Sequence, residues 1–145
     1  MIPHKNEPRE VGYAKEHEEY FRDINPDLSL THKDANSLFA GLNQKDLFIF
    51  AMAIGKHHNK TKTPKDIKRN VMVSAMSEQQ KWALLAIDLS ENKDALSLSD
   101  VKPFYLTAEK YAGAGMDILL KEMNINGFVE YCENLEKELV EILEE

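Results

Sequence analysis

The run "LFIFAMAIG", Leu47 to Gly55, constrains the fold more than any other stretch of this chain. It is apolar on nearly every side, so no face of it suits water. It is also about half the ~18–20 residues needed to span a bilayer. Asn43 and Asp46 precede it as an N-cap and a first-turn acid. The stretch "NQKDLFIFAMAIGKHH" therefore reads as a buried central helix, with a buried strand as the alternative that short apolar runs leave open.

The other segments also carry helical spacing. "YAKEHEEYFRDI" places Tyr13, His17, Tyr20, Phe21 and Ile24 three and four apart, and Pro26 stops it. "LSLTHKDANSLFAGL" reads as a connector with a short helix ending near Gly41. "TPKDIKRNVMVSAM" opens with Thr63 as cap, Pro64 at the first helical position and Asp66 three residues after the cap, with Ile67, Val71 and Ala75 turned inward. "SEQQKWALLAIDLSEN" has Ser77 and Gln80 as a capping box, a stripe of Trp82, Leu85, Ala86 and Leu89, and Asn92 at its end. "DVKPFYLTAEKYAGAGMDILLKEM" predicts one long helix, or two jointed at "AGAG". Its inner face is Phe104, Ala108, Tyr111, Ala112, Gly115, Ile118 and Leu119. Gly113 and Gly115 each cost about 1 kcal/mol there against Ala, which close approach of a neighbouring helix would offset. "NING" predicts a turn. "FVEYCENLEKELVEILEE" follows as an amphipathic helix with Phe128, Tyr131, Cys132, Leu135, Leu139 and Ile142 on its stripe. The expectation is an all-α chain: a flexible segment over residues 1–12, then one helical domain of five to seven helices over 13–145.

Length and composition agree with a single globular unit. At 145 residues, 43% hydrophobic and 30% charged, the chain can bury a core without staples. The one cysteine, Cys132, excludes an internal disulfide and any zinc site built on two thiolates. No leader-like or membrane-length apolar segment is present, so the expectation is a cytoplasmic protein without membrane contact.

Charge is uneven. Residues 1–55 carry 6 basic and 9 acidic side chains, residues 56–69 carry 6 and 1, and residues 70–145 carry 6 and 15. The total is -7, with +5 concentrated in "KHHNKTKTPKDIKR". Overall acidity argues against a general nucleic-acid binder, but a local basic patch suits phosphate oxygens. Lys56, Lys60, Lys62, Lys65, Lys68 and Arg69 would supply charge, and Thr63 with the helix it caps would supply oriented donors. Two other readings stand beside it: a solvated face, and a patch paired with the acidic C-terminal helix. No aromatic residue interrupts the stretch, which disfavours base stacking.

Catalytic chemistry finds no foothold. His57 and His58 are adjacent, so on a helix they point about 100° apart and do not share a metal. They suit a helix C-terminus instead. Glu16, Glu18 and Glu19 around His17 read as a solvated face with one half-buried imidazole. Acidic neighbours, Glu130, Glu133 and Glu136, raise the thiol of Cys132 and make it a poor nucleophile. "AGAG" has neither the Lys-Ser/Thr nor the strand of a phosphate loop. No catalytic residue, metal ligand set or cofactor is assigned, and the chain reads as a non-enzyme. The last helix has two uses: packing on its own domain, or contact through Leu135, Leu139 and Ile142 with a protein partner or a second copy. Its glutamates disfavour close self-pairing and favour a basic partner.

Three segments taken in order, "FIFAMAIGKHHNKTKTP", "ALLAIDLSENKDALSL" and "AEKYAGAGMDILLKEM", resemble small prokaryotic proteins associated with the Dnd system, which installs phosphorothioate groups in the DNA backbone for host defence. The resemblance covers about residues 47–123. It implies an accessory role in DNA modification and assigns no active-site residues. The resulting expectation is a non-enzymatic accessory protein working through protein contacts and a weak DNA-backbone contact. The alternative is a structural adaptor or homodimer assembled through the last helix.

Overall fold

A computed structural model describes residues 5–22, 29–31, 39–63, 65–89 and 100–144, excepting the side chains at 88, 89, 123–132 and 144. The elements run β1 (Glu10–Ala14), a 3-10 turn (Lys15–His17), α1 (Glu18–Phe21), α2 (Gln44–His57), β2 (Ile67–Met72), a second 3-10 turn (Val73–Ala75), α3 (Glu78–Leu89) and α4 (Lys102–Glu144). The fold is mostly helical but not all-α, because β1 and β2 pair as an antiparallel sheet.

β2 falls where helical spacing predicts a helix, while β1 joins Glu10–Gly12 of the segment expected to be flexible to Tyr13 and Ala14 of the expected first helix. In β1, Val11, Gly12, Tyr13 and Ala14 are all buried, and Tyr13 stacks on Phe21 with ring centroids 4.2 Å apart. Among the described residues of the expected first helix, only 18–21 form an α-turn, and Ile24 lies outside the described residues. Ile67 and Val71 have helical spacing, but their segment is β2, so Thr63 caps no helix. Val71 pairs with Val11 and Arg69 with Gly12, leaving Asn70 as the extra residue of a bulge. A core strand partner far along the chain outweighs a local preference worth tenths of a kcal/mol per residue.

The buried central helix is as expected. Asn43 and Asp46 form a capping box at the start of α2, which buries Leu47, Phe48, Ala51, Met52, Ile54 and Gly55. It ends at His57, and Asn59 then takes a left-handed conformation (φ 53°). Ser77 and Gln80 exchange the two bonds of a second box, at 3.1 and 2.9 Å, before α3. The inner stripe of α3 is Leu84, Leu85 and Ile87, whereas Trp82, expected inside, is 41% exposed.

α2 packs along α4 through glycine. A Cβ on Gly115 would overlap the Ala51 carbonyl, and one on Gly55 would overlap the Tyr111 carbonyl. Gly115 thus has the compensation expected for it, while Gly113 meets only ordinary contacts at 3.5 and 3.7 Å. Phe104, Ala108, Ala112 and Leu119 bury the predicted face.

Helical backbone is assigned from Lys102 to Glu144, through the expected turn at "NING". The helix is nevertheless not straight. Gly55 abuts Tyr111, and His58, three residues later, binds Glu138 at 3.1 Å. A straight helix would separate positions 111 and 138 by about 40 Å. α4 therefore turns back between them and returns its C-terminal arm, residues 133–144, to the end of α2. Leu135 is fully buried there and Ile142 packs on the core.

Candidate functional site

The basic stretch begins at the C-terminus of α2 and crosses to β2. Its route is fixed by backbone bonds: Lys60 N–H donates to the Gly55 carbonyl at 2.9 Å, and Lys62 N–H to the Lys110 carbonyl at 3.0 Å. This lays residues 60–62 along α4.

Lys62 is the hub. Its ammonium donates to Asp117 Oδ2 at 2.8 Å and also to Glu16 Oε1. Asp117 in turn accepts from Nε2 of buried His17 at 2.8 Å. Burial would raise the Asp117 carboxyl, but hydrogen bonds and charge from Lys62 and His17 outweigh it and hold that carboxyl below its ordinary value. Burial would likewise lower the Lys62 ammonium, yet Asp117 and Glu16 raise it. Donor atoms of Glu16, His17 and Asp117 lie within 4.8 Å of one another. The chain's own Lys62 ammonium meets two of the three.

The remaining basic residues divide by task. Arg69 makes two hydrogen bonds to buried Glu109, at 3.1 and 3.2 Å. Lys68 lies 3.8 Å from Glu18. The Lys56 ammonium sits 5.4 Å from the centre of the Tyr111 ring. His57 and His58 pair with Glu141 and Glu138 of the arm, at 2.9 and 3.1 Å. Part of the stretch is thus joined to the acidic C-terminal helix, one of the sequence readings. Lys60, Thr63 and Lys65 are exposed.

Two clefts flank Lys62. The larger, about 620 Å³, is lined by Ala14, Lys15, Glu16, Lys62, Thr63, Lys65 and Asp66. The other, about 440 Å³, is lined by Lys60, Thr61, Lys62, Ala114, Asp117, Ile118 and Lys121. Lys62 offsets one of the two charges of Glu16 and Asp117, and Asp66 also lines the larger cleft. Among the described residues Lys15, Lys60, Lys65 and Lys121 line the clefts without an ion pair, which leaves five lysines against three carboxylates there. Sequence reading missed Lys15, 41 residues before Lys56, and Lys121, 52 residues after Arg69. It also missed Asp117, one hundred positions from its partner His17. Nothing in local spacing marks such pairs.

No catalytic constellation was assigned from the sequence, and the described residues add only the Lys62 cluster. Among them, no helix is long and apolar enough to cross a membrane. The arrangement defines a small, mostly helical protein with a sheet-buttressed cationic surface. The chain belongs to the family DNA sulphur modification system-associated protein 4, which matches residues 11–145 and so extends well beyond the stretch that carried the Dnd resemblance. No curated protein and no solved structure matches it.

Proposed function

We propose that this protein is a non-enzymatic accessory component of a DNA sulphur modification system, and that it touches the DNA backbone with the surface around Lys62. The observation that carries the reading is the pair of clefts sharing Lys62 as a wall, with Lys15, Lys60, Lys65 and Lys121 around them on a chain of net charge -7. Flexible ammonium groups suit phosphate oxygens, which need charge and donors but not a fixed fork. Thr63 adds a hydroxyl beside Lys65. Lys62, Lys68, Arg69 and Lys56 act mainly by holding this surface to the acidic body. Family membership supports the setting and an associated role.

The test is duplex binding at low salt. Lys60→Glu with Lys65→Glu should weaken binding at least tenfold. Reversing Lys81 and Lys102, outside the clefts, should change it little. Equal losses from both pairs would mean diffuse charge attraction and would remove the site.

A second reading, a structural adaptor working through the C-terminal helix, rests on the exposure of Leu139, Val140 and Leu143. Leu135 and Ile142, the other candidate interface residues, are committed to the chain's own core. Sedimentation and partner capture with the arm intact or carrying Leu143→Glu test this reading.

A further inference from the structure

The C-terminal arm uses one side on its own domain and leaves another uncovered. Leu135 and Ile142 point inward, and Glu138 and Glu141 are held by His58 and His57. On the opposite flank Leu139, Val140 and Leu143 are 37%, 48% and 84% exposed. Leu139 and Leu143 are four apart and Val140 and Leu143 three apart, so the three form one continuous ridge. Beside it runs a groove of about 490 Å³ lined by Glu133, Glu136, Lys137, Val140 and Glu141.

Charge decides which occupant fits. Residues 133–144 contain five glutamates and one lysine. Two copies packed ridge to ridge would bring two arms of that acidic composition together, and in a parallel arrangement Glu133 and Glu136 of each would face the other. Like charges brought together in a contact cost free energy, while opposite potentials favour and orient one. A basic helix with an apolar stripe satisfies both parts of the surface.

We propose that the ridge Leu139–Val140–Leu143 docks a basic amphipathic helix of a partner protein, whose apolar side chains cover the ridge while its Lys or Arg face Glu133 and Glu136. This gives the partner chemistry of the adaptor reading and rests on it. It uses none of the lysines around Lys62, so failure of the DNA contact and failure of the docking are separable.

The full chain is titrated with two labelled synthetic peptides of identical leucine and lysine content. One carries its leucines as a helical stripe, and the other spreads them round the helix. The striped peptide should bind at least tenfold more tightly. Leu143→Glu should erase that preference even though it adds attractive charge, and the more neutral Leu143→Ser should erase it too. Lys60→Glu with Lys65→Glu should leave it intact. Equal affinity for the two peptides, or a preference that survives both Leu143 variants, would overturn the docking ridge. Self-association that Leu143→Ser abolishes would assign the ridge to a second copy instead.

Discussion

Arg69 on β2 and Glu109 on α4 form a two-pronged ion pair, and the same carboxylate accepts the Gly12 N–H of β1 at 2.7 Å. One buried acid therefore joins the two strands to the long helix. Its partners are unequal, since the Arg69 side chain is 50% exposed while that of Glu109 is 5% exposed. Glu109→Ala should destabilise the protein by about 2 kcal/mol, because it leaves a buried N–H without an acceptor. Arg69→Ala should cost about 1 kcal/mol or less, the guanidinium being half in water. Urea unfolding of both variants gives the comparison, and equal costs would contradict this division.

The α2–α4 contact makes opposite predictions for neighbouring glycines. Replacing a helical glycine by alanine ordinarily stabilises by about 1 kcal/mol. Gly115→Ala and Gly55→Ala should instead destabilise by about 1–3 kcal/mol, as overpacked cores do. Gly113→Ala should show the ordinary gain. Thermal melts of the three variants decide it. A gain at Gly115 would mean that the helices lie farther apart than described.

Asp117 sets an acid limit on stability. Its folded carboxyl is held below the ordinary carboxylate value. Its contribution is therefore fully present above the unfolded value and disappears as pH falls through the folded one. Asp117→Asn should lower stability at neutral pH and flatten its decline in the acid range. An unchanged decline would leave the acid dependence to other groups, among them Asp46, whose carboxyl is also lowered.

Glu122 has the reverse sign. Burial and the charge of Glu138 raise its carboxyl, against a smaller opposing effect of His58. Protonation thus favours the fold, and that contribution is lost as pH rises through the folded value. Glu122→Gln should stabilise the protein at neutral pH, with the advantage shrinking below the ordinary carboxylate range. A loss of stability at pH 7 would show that the charge has a partner.

The returning arm depends on two imidazoles. His57→Ala with His58→Ala should speed amide exchange over residues 133–144 while leaving the core of α2 protected. Local opening of this kind follows the loss of a few contacts at an element's end. No change in exchange would mean that Leu135 and Ile142 suffice to hold the arm.

Sequence patterns made the helices legible where burial and capping agreed, as in α2 with Asn43 and Asp46 and at the start of α3 with Ser77 and Gln80. They failed for Tyr13 and Ile67, whose neighbours repeat at helical intervals while the segments themselves pair as strands across more than fifty residues. That pairing depends on a distant partner and a buried acid, neither of which leaves a local mark. The basic stretch was visible from composition. Its division was not, since whether a cation faces solvent or a carboxylate depends on Glu16, Glu109 and Asp117, far away in the chain.

The most direct test of the central claim is the salt dependence of binding to a labelled DNA duplex. Each phosphate neutralised contributes a slope of about -0.9 in log affinity against log salt, so contacts from Lys15, Lys60, Lys65 and Lys121 predict about -3 to -4. Reversal of Lys60 and Lys65 should remove about half of that slope. Absence of binding at low salt, or a slope that the reversal leaves unchanged, would contradict a DNA-backbone contact around Lys62.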